Sequence, residues 1–274
     1  MRSTHRKTFS ALSAFGAGLL VAASLSAQSV SFKDPANDDN GPGTYTYPTD
    51  GVYKRGSFDL TGLDIEAKGN KVDFGVSFNT PLEDPWRMGT GFSVEMVFIF
   101  IDNKEGGMKE SFPGINVNFA EGSEWDKLVI LSPQPPGRVK TEVKEKLPAA
   151  MQAAVIVPSR VKGAGRTISA TVGLDELGGG DPSTWGYQVV VQSNEGFPEG
   201  KDLMTRKVNE YEGQHRFGGG SDYDCDPHAI DVLAGNGTGA ADEAAAQHAM
   251  LKYECGPDGA VKTAATLKMV RKGS

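Results

Sequence analysis

The chain has 274 residues, with 28 Lys and Arg against 35 Asp and Glu and a formal net charge of −7. That balance argues against nucleic acid and anionic lipid as partners, because both need a basic surface. The 35 Gly and 15 Pro residues exceed the usual share of roughly 12%. They are spread between short apolar runs, as in an all-β chain.

Arg2, Arg6 and Lys7 form a basic start, and Phe9 to Leu25 carry no charge. Ser24, Ser26 and Ala27 then supply small residues for cleavage after Ala27. This layout predicts a secretory signal peptide over 1–27 and one folded domain over 28–274, in a secreted, extracellular or periplasmic protein. An uncleaved anchor is the rival reading. No later run is apolar for long enough to span a bilayer.

Asp34-Pro35-Ala36-Asn37-Asp38-Asp39-Asn40-Gly41 comes next. Its carboxylates and carboxamides offer only oxygen ligands on a tight turn, which suits Ca²⁺. The alternative is an Asx-rich surface turn with no ion. Tyr47, in Tyr45-Thr46-Tyr47-Pro48, and Trp86, in Glu83-Asp84-Pro85-Trp86-Arg87, occupy Pro-containing segments. Both are expected on exposed loops, lending aromatic faces to a sugar; for Trp86 a plug at the end of the sandwich is the alternative.

Leu63, Ile65 and Ala67, then Val72, Phe74, Val76 and Phe78, alternate with polar or small residues across Lys68-Gly69-Asn70-Lys71. The pattern predicts a hairpin of half-buried strands. Phe92–Ile101 is apolar on both faces in its second half and predicts a strand in the middle of the molecule. Ile115–Phe119, Lys127–Leu131, Ala154–Val157, Thr167–Val172 and Gly186–Gln192 read as further strands. Pro133-Gln134-Pro135-Pro136-Gly137 reads as an exposed loop. Thr141–Met151 and Asp242–Tyr253 read as short helices. His248, on the second, is expected in solvent and Trp185 in the core.

Cys225 and Cys255 are the only cysteines. In an oxidising compartment they predict one disulfide, stapling the second helix to a sheet; two buried thiols are the alternative. Signatures of nucleophilic, zinc or phosphate chemistry are absent: there is no G-x-S-x-G, H-E-x-x-H, G-x-x-x-x-G-K-[ST] or C-x-x-C. His215, His228 and His248 lack ligand spacing.

Five stretches carry a family resemblance: DPANDDNGPGTYTYPTD (34–50), FDLTGLDI (58–65), DPWRMGTGFSVEMVFIFID (84–102), STWGYQVVVQSNEGF (183–197) and FGGGSDYDCDPHAIDVLA (217–234). The chain resembles the C-terminal binding module of glucodextranases and some pullulanases, a DOMON-like β-sandwich akin to family 9 carbohydrate-binding modules. The resemblance implies an all-β sandwich with one or two short helices. It implies a non-catalytic module for carbohydrate, an α-glucan or a cell-surface glycan, with a structural Ca²⁺. Asp34, Asn37, Asp38 and Asp39 match the metal-site turn, and Asp222 matches the last specific stretch. Cys225 and Glu95 stand outside the family pattern. Two other classes compete. A DOMON-type haem or redox protein would use Met88, Met96 or Met108 as an axial ligand. A glycan-acting hydrolase, or an accessory to one, would use a carboxylate pair.

Overall fold

A computed structural model describes Met1 and residues 28–198 and 200–273. Apart from Met1, the expected signal peptide lies outside the described residues. The strands in chain order are β1 (Gln28–Lys33), β2 (Leu60–Lys68), β3 (Lys71–Phe78), β4 (Glu95–Asp102), β5 (Val117–Phe119), β6 (Lys127–Leu131), β7 (Val155–Ile156), β8 (Val161–Ala164), β9 (Thr167–Gly173), β10 (Gly186–Ser193) and β11 (Asp231–Val232). Four short strands follow: β12 (Glu254–Cys255), β13 (Val261–Thr263), β14 (Ala265–Leu267) and β15 (Val270–Arg271). The helices are α1 (Pro136–Lys146), α2 (Ala149–Ala154) and α3 (Glu243–Met250).

The first sheet is antiparallel, in the order β1-β2-β3-β9-β8. Its β2–β3 hairpin closes with Lys68 opposite Lys71 and Gly69 at φ +61°, a left-handed conformation that glycine adopts without steric cost. Leu63, Ile65, Phe74, Val76 and Ile168 point into the core while Asp64, Asp73, Ser169 and Thr171 point out. One face of this sheet is therefore open.

The second sheet runs β11-β10-β4-β6-β7, with β15 also on β10. Here both faces are covered. Val97, Ile99 and Ile101 of β4 pack toward the first sheet. Met96, Phe98 and Phe100 of the same strand pack into a second core. That core is roofed by Val139 and Val143 of α1, Met151 of α2, and the parallel β5–β14 pair. Phe100 meets Phe119 at 4.8 Å and Trp125 at 5.3 Å between ring centroids. The result is an all-β sandwich with three short helices on the outside of one sheet.

Two sequence expectations need correction here. The Pro-rich stretch is an exposed loop only in part: Pro135 and Gly137 are exposed, but Pro133 and Gln134 are buried, and Pro136 opens α1. Proline is favoured there because the first helical N–H has no partner to lose. The helix expected over 141–151 is two helices. Leu147 precedes Pro148 and is extended (φ −93°, ψ 148°), as a residue before proline is forced to be.

Candidate functional site

The turn after β1 brings its acids inward. Asp34 is buried, and its Oδ1 accepts the Ala234 N–H at 3.1 Å. Asp38 is buried too. Asp231, at the start of β11, is fully buried, and its Oδ2 accepts the Leu60 N–H at 2.7 Å. Oxygens of Asp34, Asp38 and Asp231 lie within 4.8 Å of one another. Asp59 adjoins them and accepts from the Asn37 N–H and the Asn79 Nδ2, both at 2.8 Å. α3 braces the turn, since Gln247 Nε2 donates to the Asp38 carbonyl.

Five carboxylate oxygens here are buried with no hydrogen-bond partner among the described residues: Asp34 Oδ2, both oxygens of Asp38, Asp59 Oδ1 and Asp231 Oδ1. Leaving such atoms unpaired is costly. Desolvation first, and repulsion from Asp38 next, push Asp34 up to about 9. Desolvation and Asp59 push Asp38 up to about 7. Desolvation pushes Asp59 up to about 6 and Asp231 well above the usual carboxylate range. The set is a hard, oxygen-only donor set with free lone pairs, the chemistry Ca²⁺ takes.

The other expected ligands lie differently. Asn37 is exposed, holds φ +74° and contributes its backbone N–H to Asp59. Asp39 is buried and accepts from the Tyr47 hydroxyl. Asp222 is exposed and accepts the Glu210 N–H at 3.0 Å; it is not among the acids grouped with Asp34. The sequence reading missed Asp231 and Asp59. For Asp231 there was a signal: it is a lone charge inside the apolar run Ala229-Ile230-Asp231-Val232-Leu233-Ala234.

The two aromatics are not exposed platforms. Tyr47 is half-buried, with its ring 4.9 Å from Phe217 and 5.8 Å from Phe58 between centroids. Its hydroxyl accepts the Gly56 N–H at 3.1 Å while donating to Asp39. Trp86 is also half-buried. The Arg206 guanidinium stands 5.8 Å from its ring centroid, and Tyr53 meets it edge-on at 6.1 Å. His248 is half-buried, with Nε2 3.1 Å from Asn40 Oδ1, rather than in solvent. Trp185 is in the core. Glu95 is almost fully buried, and desolvation pushes it up to about 8.

A polar depression of about 600 Å³ lies on the open face of the first sheet. Gly75 forms its floor, directly between Asp64 of β2 and Ser169 of β9 in the cross-strand register. Asp73 accepts from the Thr171 hydroxyl at 2.5 Å and from Lys68 Nζ at 3.2 Å. Glu66 and Lys162 complete the rim. Carboxylates and hydroxyls thus stand side by side at strand spacing.

Cys225 and Cys255 form a disulfide. It joins the 221–226 loop to β12, just beyond α3. A family model of the C-terminal, SLH-like binding module of glucodextranase matches residues 30–270. The chain belongs to that family. No curated protein matches it at a significant level. As a glucodextranase-type module it is a member of a family of binding domains, and its sandwich is the fold the resemblance implied. Among the described residues no helix is long and apolar enough to cross a membrane.

Proposed function

We propose that this chain is an exported, non-catalytic carbohydrate-binding module that carries one structural Ca²⁺. The observation that carries the binding role is the match over residues 30–270 to a binding module. The open sheet face is the contact surface. Vicinal sugar hydroxyls need paired acceptors and donors, and Asp64, Glu66, Asp73, Ser169 and Thr171 offer them around the clear floor at Gly75. Trp86 is the less accessible surface, because Arg206 and Tyr53 already lie against it.

Asp34, Asp38 and Asp231 would hold the cation, with Asp59 beside them. Bound Ca²⁺ would supply positive charge to acids that otherwise repel one another. Asn37 and Asp39 shape the turn instead of ligating: one hydrogen-bonds Asp59 and the other is capped by Tyr47.

The experiment is a glycan array probed with the purified protein, repeated on Asp64→Ala/Asp73→Ala and on Trp86→Ala. The double variant should lose binding while melting normally. Trp86→Ala should keep binding and melt lower. Retention of full binding by the double variant would move the site off the sheet face, and no binding to any glycan would reject the carbohydrate reading.

A further inference from the structure

The segment Asp224-Cys225-Asp226-Pro227-His228 holds a buried acid that neither the sugar surface nor the cation cluster uses. Asp226 is fully buried, and its Oδ1 has no hydrogen-bond partner among the described residues. Its Oδ2 lies 3.4 Å from the Tyr45 hydroxyl and 3.8 Å from His228 Nδ1. A Cβ on Gly220 would sit 2.2 Å from that oxygen, so only glycine leaves room for the carboxylate.

The next peptide bond is to proline, and its carbonyl is engaged. Asn116 Nδ2 donates to the Asp226 carbonyl oxygen at 3.1 Å. Asn116 holds φ +59° to do so, a conformation uncommon outside glycine and tolerated best by Asn and Asp. On the far side the Tyr45 hydroxyl donates to the Pro227 carbonyl. His228 is nearly fully buried and held on both sides, its Nε2 by Asp224 Oδ1 at 3.1 Å and its Nδ1 by the Val208 N–H at 3.2 Å. A carboxyl oxygen with no partner and a polarising donor on the carbonyl it would attack therefore meet at one Asp–Pro bond, with His228 fixed beside them.

We propose that Asp226 cleaves its own peptide bond to Pro227. Oδ1 attacks the Asp226 carbonyl carbon, forming a C–O bond and a five-membered cyclic anhydride. The C–N bond to Pro227 breaks, and its electron pair goes to the prolyl nitrogen. That nitrogen belongs to a tertiary amide and leaves as a basic secondary amine, taking the proton carried by the Asp226 carboxyl group. Asn116 holds the negative charge that builds on the carbonyl oxygen. Water then opens the anhydride to two carboxyl groups, leaving Asp226 as a new C-terminus and Pro227 as a new N-terminus. Burial puts Asp226 at about 6, so the carboxyl form that carries this proton is present below that value and the cut slows as pH rises through it. The groups facing this pair are Tyr45 and Tyr253 on the Asp226 side and Asp224 and Asp202 on the His228 side, with Lys207 on Asp224.

The disulfide gives the cut a consequence. Cys225 lies before the scissile bond and Cys255 after it, so the two pieces stay covalently joined. The other Asp–Pro bonds are internal controls. Asp84 is occupied by the Met88 and Gly89 N–H groups and the Ser93 hydroxyl. Asp181 is occupied by Ser183, and Asp34 stands among carboxylates.

The test is a time course of the purified protein over days, from about pH 5 to pH 8, followed by intact mass with and without reductant. Reduction should release one piece ending at Asp226 and one beginning at Pro227. Without reductant a single species should be heavier by one water. Hydroxylamine should trap the anhydride as a hydroxamate on Asp226. Pro227→Ala and Asp226→Ala should abolish the cut, and Asn116→Ala, checked for folding by its melt, should slow it about a hundredfold. A single reduced species throughout would overturn the proposal. So would cleavage shared with the other Asp–Pro bonds, or equal cleavage in denatured protein, which would be ordinary Asp–Pro lability.

Discussion

At Asp34 the charged neighbours are other acids, Asp38, Glu243 and Asp59; at Asp224 the charged neighbour is the Lys207 ammonium, and the His228 imidazole is hydrogen-bonded beside it. The first set pushes its carboxylates up, to about 9 for Asp34 and about 7 for Asp38. The second holds Asp224 far below the usual carboxylate range, chiefly through His228. Burial differs as well, since Asp224 is more than half exposed at its side chain. The contrast teaches that an acid-rich segment is not in itself a cation site. What distinguishes one is a set of buried oxygens left without donors.

The largest expected effect is on the Asp34 cluster. Its acids have raised folded-state values, so without metal they favour the fold at acid pH, and that contribution is lost as pH rises through about 7 and then about 9. In chelator the melting temperature should therefore fall between about pH 5 and pH 8. Ca²⁺ at a hundred times its dissociation constant should restore about 2.7 kcal/mol, several degrees for a chain of this size. Identical melts with and without Ca²⁺ at the upper pH would remove the cation from the reading.

Asp231→Asn should sharpen the point by changing sign with conditions. The Asn side-chain oxygen can still accept the Leu60 N–H, while one buried charge disappears. In chelator at alkaline pH the variant should be more stable than the parent by about 1 kcal/mol, and Ca²⁺ should no longer help it. A smaller effect belongs to Asp224→Asn, about 0.5–1 kcal/mol after solvent screening. A depressed acid stabilises above its unfolded value and loses that as pH falls, so parent and variant should converge in acid. Denaturant titrations at neutral and acid pH would show this, and a difference that persists in acid would contradict it. Smallest of all is Asp73→Ala on the open sheet, within about 0.5 kcal/mol of the parent by chemical denaturation, even where glycan binding is lost.

Much of the fold was legible because its signals were local. Lys127–Leu131 is a strand with the bounds read from sequence, and the β2–β3 hairpin announces itself in Gly69 and in alternation on either side. β4 was placed centrally by apolar residues on both its faces, and it does divide two cores. What was not legible depends on distance or on an ambiguous residue type. Pro136 reads equally as a loop marker and as a helix start, and only packing decides. The cluster joins Asp34 and Asp38 to Asp231, so no local window contains it. Tyr47 was expected at the surface because its neighbours are polar, but its ring meets Phe58 and Phe217, and the latter is 170 residues away in sequence. The disulfide needed only the two cysteines.

The joining of Asp34 and Asp38 to Asp231 also sets an order of assembly. β1 can pair with β2 as soon as both exist, but the carboxylate cage also needs β11, and α3 must dock through Gln247 before the turn is braced. Contacts of such long sequence separation form slowly, because loop closure must be met before they contribute. A cation held by this cage could therefore not be acquired until nearly all of the chain has been made. Removing free Ca²⁺ during refolding should accordingly leave the early rise of sheet signal intact and weaken only the last, locking phase.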